Sequence, residues 1–490
     1  MTIRKTIFFV LAAGLFSLAA IPAVDPDLWW HLKTGQVILT HGIPKVDIYS
    51  FTMKGKPWIT HEWLSEVFLW SVHACGGIPA LIISFALIAS LTFGLVYFTC
   101  AGSPFLAFPL TLLACWSSRF LWGSRPQIFN ILMLAVFLWL LQSVRQRRFR
   151  WQWIYAFPFL TALWANLHSG YLMGIAVLVV CVMGETAQIF LRKSEEGTLG
   201  KDVLWHLGFV VSLCMLAALI NPSGYKIWFY PFETLGSSMM QSTILEWLVP
   251  DFHHWNYKPF LITMVLGAIA FMNTRRQRNI PEMMLYGGAM AAGLFSRRHI
   301  PFFEVVAIPI ISRALLDCFQ GPNVRDFLEG KTLSRKTSGI VLIVNIVLVL
   351  SVLVATGLWA REQIRKTDAQ MRDMYPLEAV KKIKEKGLAD KHGLNEYAWG
   401  GYLIWNDLPV FIDGRVDMYG DDFFREYMSV HDAQKGWKEM YMVFMRYDVR
   451  YILLRPLSLL ANLLRANGDW KEVYRDRTAS VFILQKSPKL

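Results

Sequence analysis

Charge is scarce in this sequence. Only 17% of its 490 residues are Asp, Glu, Lys or Arg, against about 25% in soluble domains. Acids are the scarcer sign, 36 against 49 Lys and Arg. Disulfide chemistry is missing as well. The six cysteines (Cys75, Cys100, Cys115, Cys181, Cys214 and Cys318) lie in or beside apolar blocks at spacings that fit no metal site, and the long polar segments hold none. There is no internal repeat and no low-complexity segment. These absences exclude a soluble enzyme, a disordered chain and a disulfide-stapled secreted module. What the chain has instead is apolar residues, 54% of the total. They are gathered in blocks long enough to cross a bilayer, separated by short polar joints. The net charge of +13 then reads as the basic surplus of loops that orient a membrane protein, rather than as a nucleic-acid surface.

A short basic stretch, Met1 to Lys5, precedes an apolar one, Thr6 to Val24. A cleaved signal peptide has this form, but the apolar runs that follow favour an uncleaved first helix. Further spans are expected at about 78–99, 102–116, 126–144, 153–166, 170–191, 203–220, 259–272, 280–296, 299–316 and 339–359, about eleven in all. With the N-terminus inside, the inside joints carry Arg145, Arg147, Arg148 and Arg150; Arg192, Lys193 and Lys201; Arg275, Arg276 and Arg278; and Arg325, Lys331, Arg335 and Lys336. That is the positive-inside pattern, and it puts the tail after Trp359 outside. The expected fold is mainly α and polytopic, with a transmembrane domain over 1–360, an outer loop at 24–77 and a small extracytoplasmic α/β domain over 361–490.

Within the outer loop, Trp63 to Cys75 mixes Leu64, Val67 and Phe68 with Ser65, Glu66, Ser71 and His73, as an interfacial amphipathic helix does. The run 153–166 is too short to cross. Short spans meeting at a polar apex imply a recessed cavity, because non-helical backbone at that depth must line protein or water. In the tail, Ala369 to Gly387 reads as helix. Tyr402 to Trp405, Val410 to Ile412, Tyr451 to Leu454 and Ser480 to Gln485 read as strands.

On this topology nearly every unusual polar cluster falls outside. Asp25-Pro-Asp27 follows the first span directly. Its two carboxylates can share a divalent cation such as Mg or Mn, or one can act as a base, or Asp25 can cap the helix that Pro26 opens. Arg125, Arg297 and Arg298 oppose the positive-inside bias and offer planar forks for a lipid phosphate. Snorkelling, or pairing with Glu62 or Asp251, is the alternative. His31, His61, His168 and His299 lie at outer apices with Glu62, Gln127 and Asn166. They can line an interface, or converge to bind sugar hydroxyls or a metal, but no histidine pair has the i, i+4 spacing of a zinc site. Tryptophans 29, 30, 58, 63, 164 and 247 are belt residues or sugar platforms. In the tail, Asp413-Gly-Arg415-Val-Asp417 suggests a buried Asp413–Arg415 or Arg415–Asp417 pair, or an acceptor contact.

The layout resembles the GT-C superfamily of integral-membrane glycosyltransferases, which use polyprenyl-phosphate-linked sugar donors. The resemblance rests on the first outer loop opening with Asp25-x-Asp27, the amphipathic helix in that loop, the span number and the exported tail. More closely, the chain looks like a group of bacterial polytopic proteins whose activity is inferred. They carry Asp-Pro-Asp-Leu-Trp-Trp-His, His-Glu-Trp-Leu, Arg-Pro-Gln, Asn-Leu-His, Asn-Pro-x-Gly and Asp-Gly-Arg in this order. The superfamily resemblance implies a catalytic carboxylate at Asp25 or Asp27, inversion at the anomeric carbon and a lipid phosphate leaving group. It further implies a lipid, glycan or protein acceptor, and a place in the bacterial cytoplasmic membrane. Trp29-Trp30-His31 is not general in the superfamily, and leaves metal use and acceptor type open. A transporter or flippase of a lipid-linked glycan is the alternative, although Glu185 and Glu304 are the acids that come closest to mid-membrane. A non-catalytic assembly protein is the third reading.

Overall fold

The structure, a computed structural model, describes residues 3–102, 104–120, 123–191, 199–274, 279–319, 321–329 and 339–485. Arg192, Lys193, Arg275, Arg276, Arg278, Lys331, Arg335 and Lys336 of the expected inside joints lie outside these residues.

Every expected apolar run coincides with a helix. In chain order the helices are α1 (Ile3–Ala19), α2 (Leu28–His41), α3 (Trp63–Thr99), α4 (Ala107–Ser118), α5 (Ile128–Arg145), α6 (Phe157–Leu167), α7 (Tyr171–Phe190) and α8 (Lys201–Ala217). Then come α9 (Lys226–Gly236), α10 (Ser238–Thr243), α11 (Lys258–Asn273), α12 (Ile280–Phe295), α13 (Ile300–Cys318), α14 (Pro322–Leu328) and α15 (Gly339–Met374). Among the described residues, α3, α5, α7, α13 with its leading turn, and α15 are long and apolar enough to cross a membrane by themselves. The chain is therefore a multi-pass, mainly α-helical membrane protein. α3 breaks at Gly76–Gly77, where the dihedral angles leave the helical region. The break divides the amphipathic stretch from the apolar one, where the composition changes.

Two compact units divide the chain. One holds Met1–Ile21, Pro79–Trp228 and Leu245–Ile364; the other holds Pro22–Ile78, Phe229–Ile244 and Arg365–Leu490. The first loop, grouped by sequence with the transmembrane part, thus packs with the tail.

At the centre of the helical unit is α13, which packs against α4, α5, α11 and α12. Its residues from Ile300 to Ser312 are all buried, as a helix apolar all round requires. α15 is the opposite case. Ile340, Ile343, Val354 and Leu358 remain exposed, a face suited to lipid. It is tied to α1 by Trp359 Nε1–H donating to the Ser17 carbonyl at 2.8 Å.

The second unit contains a four-stranded sheet of β1 (Gly393–Asn395), β2 (Tyr451–Leu454), β3 (Trp470–Arg475) and β4 (Ser480–Leu484) in the order β1-β2-β4-β3. β1 runs parallel to β2 with Leu394 opposite Ile452, and β4 antiparallel with Ile452 opposite Phe482. All four β2 residues are buried, as expected of an inner strand. Tyr402 to Trp405, expected as strand, is instead part of a helical turn over Gly400–Trp405. Tyr402 and Trp405 both pack on Trp29, at centroid distances of 5.4 and 5.8 Å, and only a helical period puts residues three apart on one face. Val410 makes a single bridge to Ser50 rather than a strand.

One histidine of the tail lies between two carboxylates, one of which directly follows β1. His431 Nε2 lies 3.0 Å from Glu396 and Nδ1 2.8 Å from Asp432. Burial alone would favour the neutral ring, but the two carboxylates raise its pKa to about 9. Because folding raises this pKa, the ring's stabilisation is complete below about pH 6.5 and is lost as pH climbs through about 9. The expected loss is about 3 kcal/mol at most. Pulse proteolysis of the tail in urea at pH 7 and pH 9.5 should show it, and His431→Gln should flatten the dependence.

Candidate active site

The Asp25-Pro-Asp27 turn is built by its own side chains. Asp25 is buried, and its Oδ1 accepts the Asp27 backbone N–H at 2.9 Å. That is an Asx turn leading into α2. Asp27 is only half-buried, and its Oδ1 accepts the Trp30 indole N–H at 3.1 Å. Gly414 of the Asp-Gly-Arg motif lies against that carboxylate, where any Cβ would overlap Asp27 Oδ1.

One turn along α2, His31 and Gly35 share a face. A Cβ at Gly35 would collide with the Glu66 carbonyl, so glycine sets the close approach of α2 to the first turns of α3. Glu62 immediately precedes α3, and its carbonyl accepts the Glu66 N–H at 3.1 Å; the two carboxylates therefore stand one turn apart. His31 Nδ1 is 3.4 Å from Glu66 Oε1 and 3.8 Å from Glu62 Oε1. Glu62 Oε2 is 3.6 Å from His61 Nε2. The His61 ring lies 4.2 Å from that of Tyr230, whose hydroxyl donates to Asp417 at 2.8 Å.

Of the two expected pairs in the tail, Asp413–Arg415 forms. Arg415 donates from Nε to Asp413 Oδ1 at 2.8 Å and from Nη2 to Oδ2 at 2.6 Å, while Nη1 donates to Asp47 at 2.8 Å. The guanidinium also sits 5.0 Å from the Tyr49 ring and 4.6 Å from Trp58. All three charged side chains are buried, and they join the first loop to the tail.

In the helical unit, Arg125 pairs with Glu246 at 2.8 Å rather than with Asp251. Gln127 Nε2 donates to the other Glu246 oxygen at 3.4 Å. The Arg298 guanidinium lies 4.9 Å from the Trp247 ring. Burial raises the Glu246 pKa, but Arg125 and Arg298 outweigh it and hold the carboxyl below its usual range. Two guanidiniums against one carboxylate leave a net positive seat. Arg297 has a different task, since its Nε donates to the Val249 carbonyl at 3.0 Å and its guanidinium covers Tyr257. The next ring, His299, lies 6.4 Å from Trp247.

Asn166 and Asn221 lock two joints together. Asn166 Nδ2 donates to the Ile220 carbonyl at 2.5 Å, and Asn221 Nδ2 to the Ala165 carbonyl at 2.9 Å. His168 is buried, and its Nδ1 accepts the Gly170 N–H at 3.1 Å and faces Asn130 Nδ2 at 2.9 Å. An accepting Nδ1 assigns the ring proton to Nε2. Asn130 also accepts the Trp164 indole N–H at 2.7 Å.

Sequence reasoning thus named most of these residues but not their partners. Asn130, the polar residue inside an apolar run, and Glu66, four residues after Glu62, carried a signal that spacing could have found. Tyr230 carried none.

No protein-family model and no curated protein matches the chain. Solved structures do. The oligosaccharyltransferase AglB from Archaeoglobus fulgidus, in complex with an inhibitory peptide and a dolichol-phosphate, is 11% identical with a TM-score of 0.59, over 98% of this chain and 74% of that one. ArnT from Cupriavidus metallidurans, bound to undecaprenyl phosphate, is 14% identical with a TM-score of 0.52, over 98% and 97%. The Archaeoglobus fulgidus oligosaccharyltransferase in complex with Zn and sulfate is 12% identical with a TM-score of 0.53, over 97% and 73%. The chain shares the fold of these AglB and ArnT structures.

Proposed function

We propose that the chain transfers a sugar from a polyprenyl-phosphate-linked donor to a lipid, glycan or protein acceptor on the outer side of a bacterial cytoplasmic membrane. The observation that carries this reading is Asp27: a half-buried carboxylate at the start of α2 of a GT-C fold, oriented by the Trp30 indole. Asp27 takes the proton of the acceptor hydroxyl as its oxygen bonds to the anomeric carbon. The bond from that carbon to the lipid phosphate breaks on the opposite face, so configuration inverts. Such a leaving group needs little protonation. Within the helical unit by itself, Arg125 and Arg298, with Gln127 beside them, form a positive seat whose chemistry suits a lipid phosphate. Asp25 holds the turn, while His61 offers a ring nitrogen to sugar hydroxyls. A divalent cation, where bound, would supply further charge stabilisation of the phosphate.

A second reading, flipping of a lipid-linked glycan, is favoured by Glu304. It is fully buried in α13, beside the Ser117 and Thr263 hydroxyls, with neither oxygen in hydrogen-bonding geometry among the described residues. Proteoliposomes loaded with polyprenyl-phosphate sugars separate the two. Transfer to an added acceptor, without scrambling of the donor between leaflets, is the expected result; scrambling without transfer would establish the flippase.

A further inference from the structure

We propose that the cavity formed by the end of α11, the start of α12 and the end of α13 seats the headgroup of a zwitterionic phospholipid. The headgroup carries a phosphate and a primary ammonium, as in the phosphatidylethanolamine class. This goes beyond sugar transfer and concerns the other end of the helical unit. α5 leads from the Arg125–Glu246 pair, through Gln127 at its start, to Arg145 at its close. Arg145 Nη2 donates to Asn279 in the cavity wall at 3.4 Å. The 18 residues of α5 span about 27 Å, so the cavity and that pair stand well apart.

Three observations support the proposal. The first is the cavity's setting. It holds about 390 Å³, with Glu282, Tyr286 and Arg313 on its polar side and Phe271, Met272 and Met283 on its apolar side. Met272 closes a stripe of exposed apolar residues along α11, with Ile262, Val265 and Ile269 before it at helical spacing. Met283 of α12 is exposed as well. The rim is therefore suited to hydrocarbon: an acyl chain lies along the stripe while its headgroup turns inward.

The second is a guanidinium with unused donors. Arg313 directs Nη2 to Glu282 at 3.0 Å, but its Nε and Nη1 have no hydrogen-bond partner among the described residues. Its side chain is only 12% exposed, and donors left unpaired at that depth are costly. A planar fork of N–H groups fits the oxygens of a phosphate.

The third is an acid one turn further on. Ile310, Arg313 and Ala314 line the cavity, and Asp317 continues their face of α13, four residues after Arg313. Its Oδ2 is buried without a hydrogen-bond partner among the described residues. Glu282 does not compete for a cation, since Arg313 and Arg145 flank it at 3.0 and 3.9 Å. A bare phosphate would answer the guanidinium and be repelled by Asp317. A headgroup with both charges answers both. The orphaned oxygen needs an N–H donor, which a primary ammonium has and a trimethylated one lacks.

The full-length chain, delipidated in detergent, is titrated separately with phosphatidylethanolamine, phosphatidylcholine and phosphatidylglycerol of the same acyl chains. Bound lipid is counted by native mass spectrometry, and inorganic phosphate is added as a competitor. The expected result is one phosphatidylethanolamine per chain, held at least tenfold more tightly than either other lipid and not displaced by millimolar phosphate. Arg313→Gln should weaken its binding at least tenfold. Asp317→Ala should erase most of the preference over phosphatidylcholine. Lys201→Gln, which removes an exposed cation at the start of α8, should bind as the wild type does. The lipid comparison on the wild type needs no variant to fold. Equal retention of the three lipids, or a preference for either of the other two, overturns the proposal. Displacement by free phosphate overturns the lipid assignment, and an Arg313→Gln chain that binds as tightly as wild type removes the phosphate seat.

Discussion

Asp27→Asn is expected to lower sugar transfer by about 10²- to 10⁴-fold, the range for loss of a general base, while leaving the fold intact. Asparagine keeps an Oδ1 that can accept the Trp30 indole N–H, so the bond seen at 3.1 Å survives. What disappears is the charge and the lone pair that takes the proton. Asp25→Asn is the informative contrast. Its Oδ1 can still accept the Asp27 N–H, so the turn holds and transfer should fall far less. Gly414→Ala should mimic Asp27→Asn in part, because its new Cβ would overlap Asp27 Oδ1 and displace the carboxylate. Initial rates of product formation, with circular dichroism as the fold control, decide the matter. Unchanged turnover in both Asp25→Asn and Asp27→Asn would remove the carboxylate from the mechanism.

Arg415→Met is expected to be the most destabilising single change in the second unit. The substitution preserves bulk between Tyr49 and Trp58 but strands Asp413 and Asp47, both buried, without their cation. Breaking a buried ion pair from one side costs about 3–5 kcal/mol. In a unit of this size that is a midpoint shift on the order of 10 °C. Neutralising the acids as well, with Asp413→Asn and Asp47→Asn in the Arg415→Met background, should recover part of the loss, since the penalty lies in uncompensated charge rather than in missing contacts. Thermal unfolding of the single and triple variants measures the difference. Equal midpoints in all of them would mean that the network is incidental.

The structure also explains why the motifs look as they do. Asp-Gly-Arg places an acid, a residue with no Cβ and a guanidinium in succession. Asp413 and Arg415 satisfy one another, and the bare Gly414 between them admits Asp27. Glu62 and Glu66 stand one turn apart because they begin a helix, and Gly35 lets α2 come close enough for His31 to reach them. Asn166, expected at a sugar site, spends its amide on capping a neighbouring joint.

The sequence alone determined where the apolar helices lie, that an amphipathic stretch precedes the apolar run of α3, and that Tyr451 to Leu454 and Ser480 to Leu484 are strands. Hydropathy and side-chain period are sums over neighbouring residues, so a local window reads them. Tertiary structure alone decided the partners. Glu246 meets Gln127 across 119 positions, Asp47 meets Arg415 across 368, and His31 meets Glu66 across 35. No local window contains both members of such a pair, and a charge gives no sign along the chain of which distant charge will answer it. The same reason turned Tyr402 to Trp405 from an apparent strand into a helical turn, because its aromatic faces had to meet Trp29.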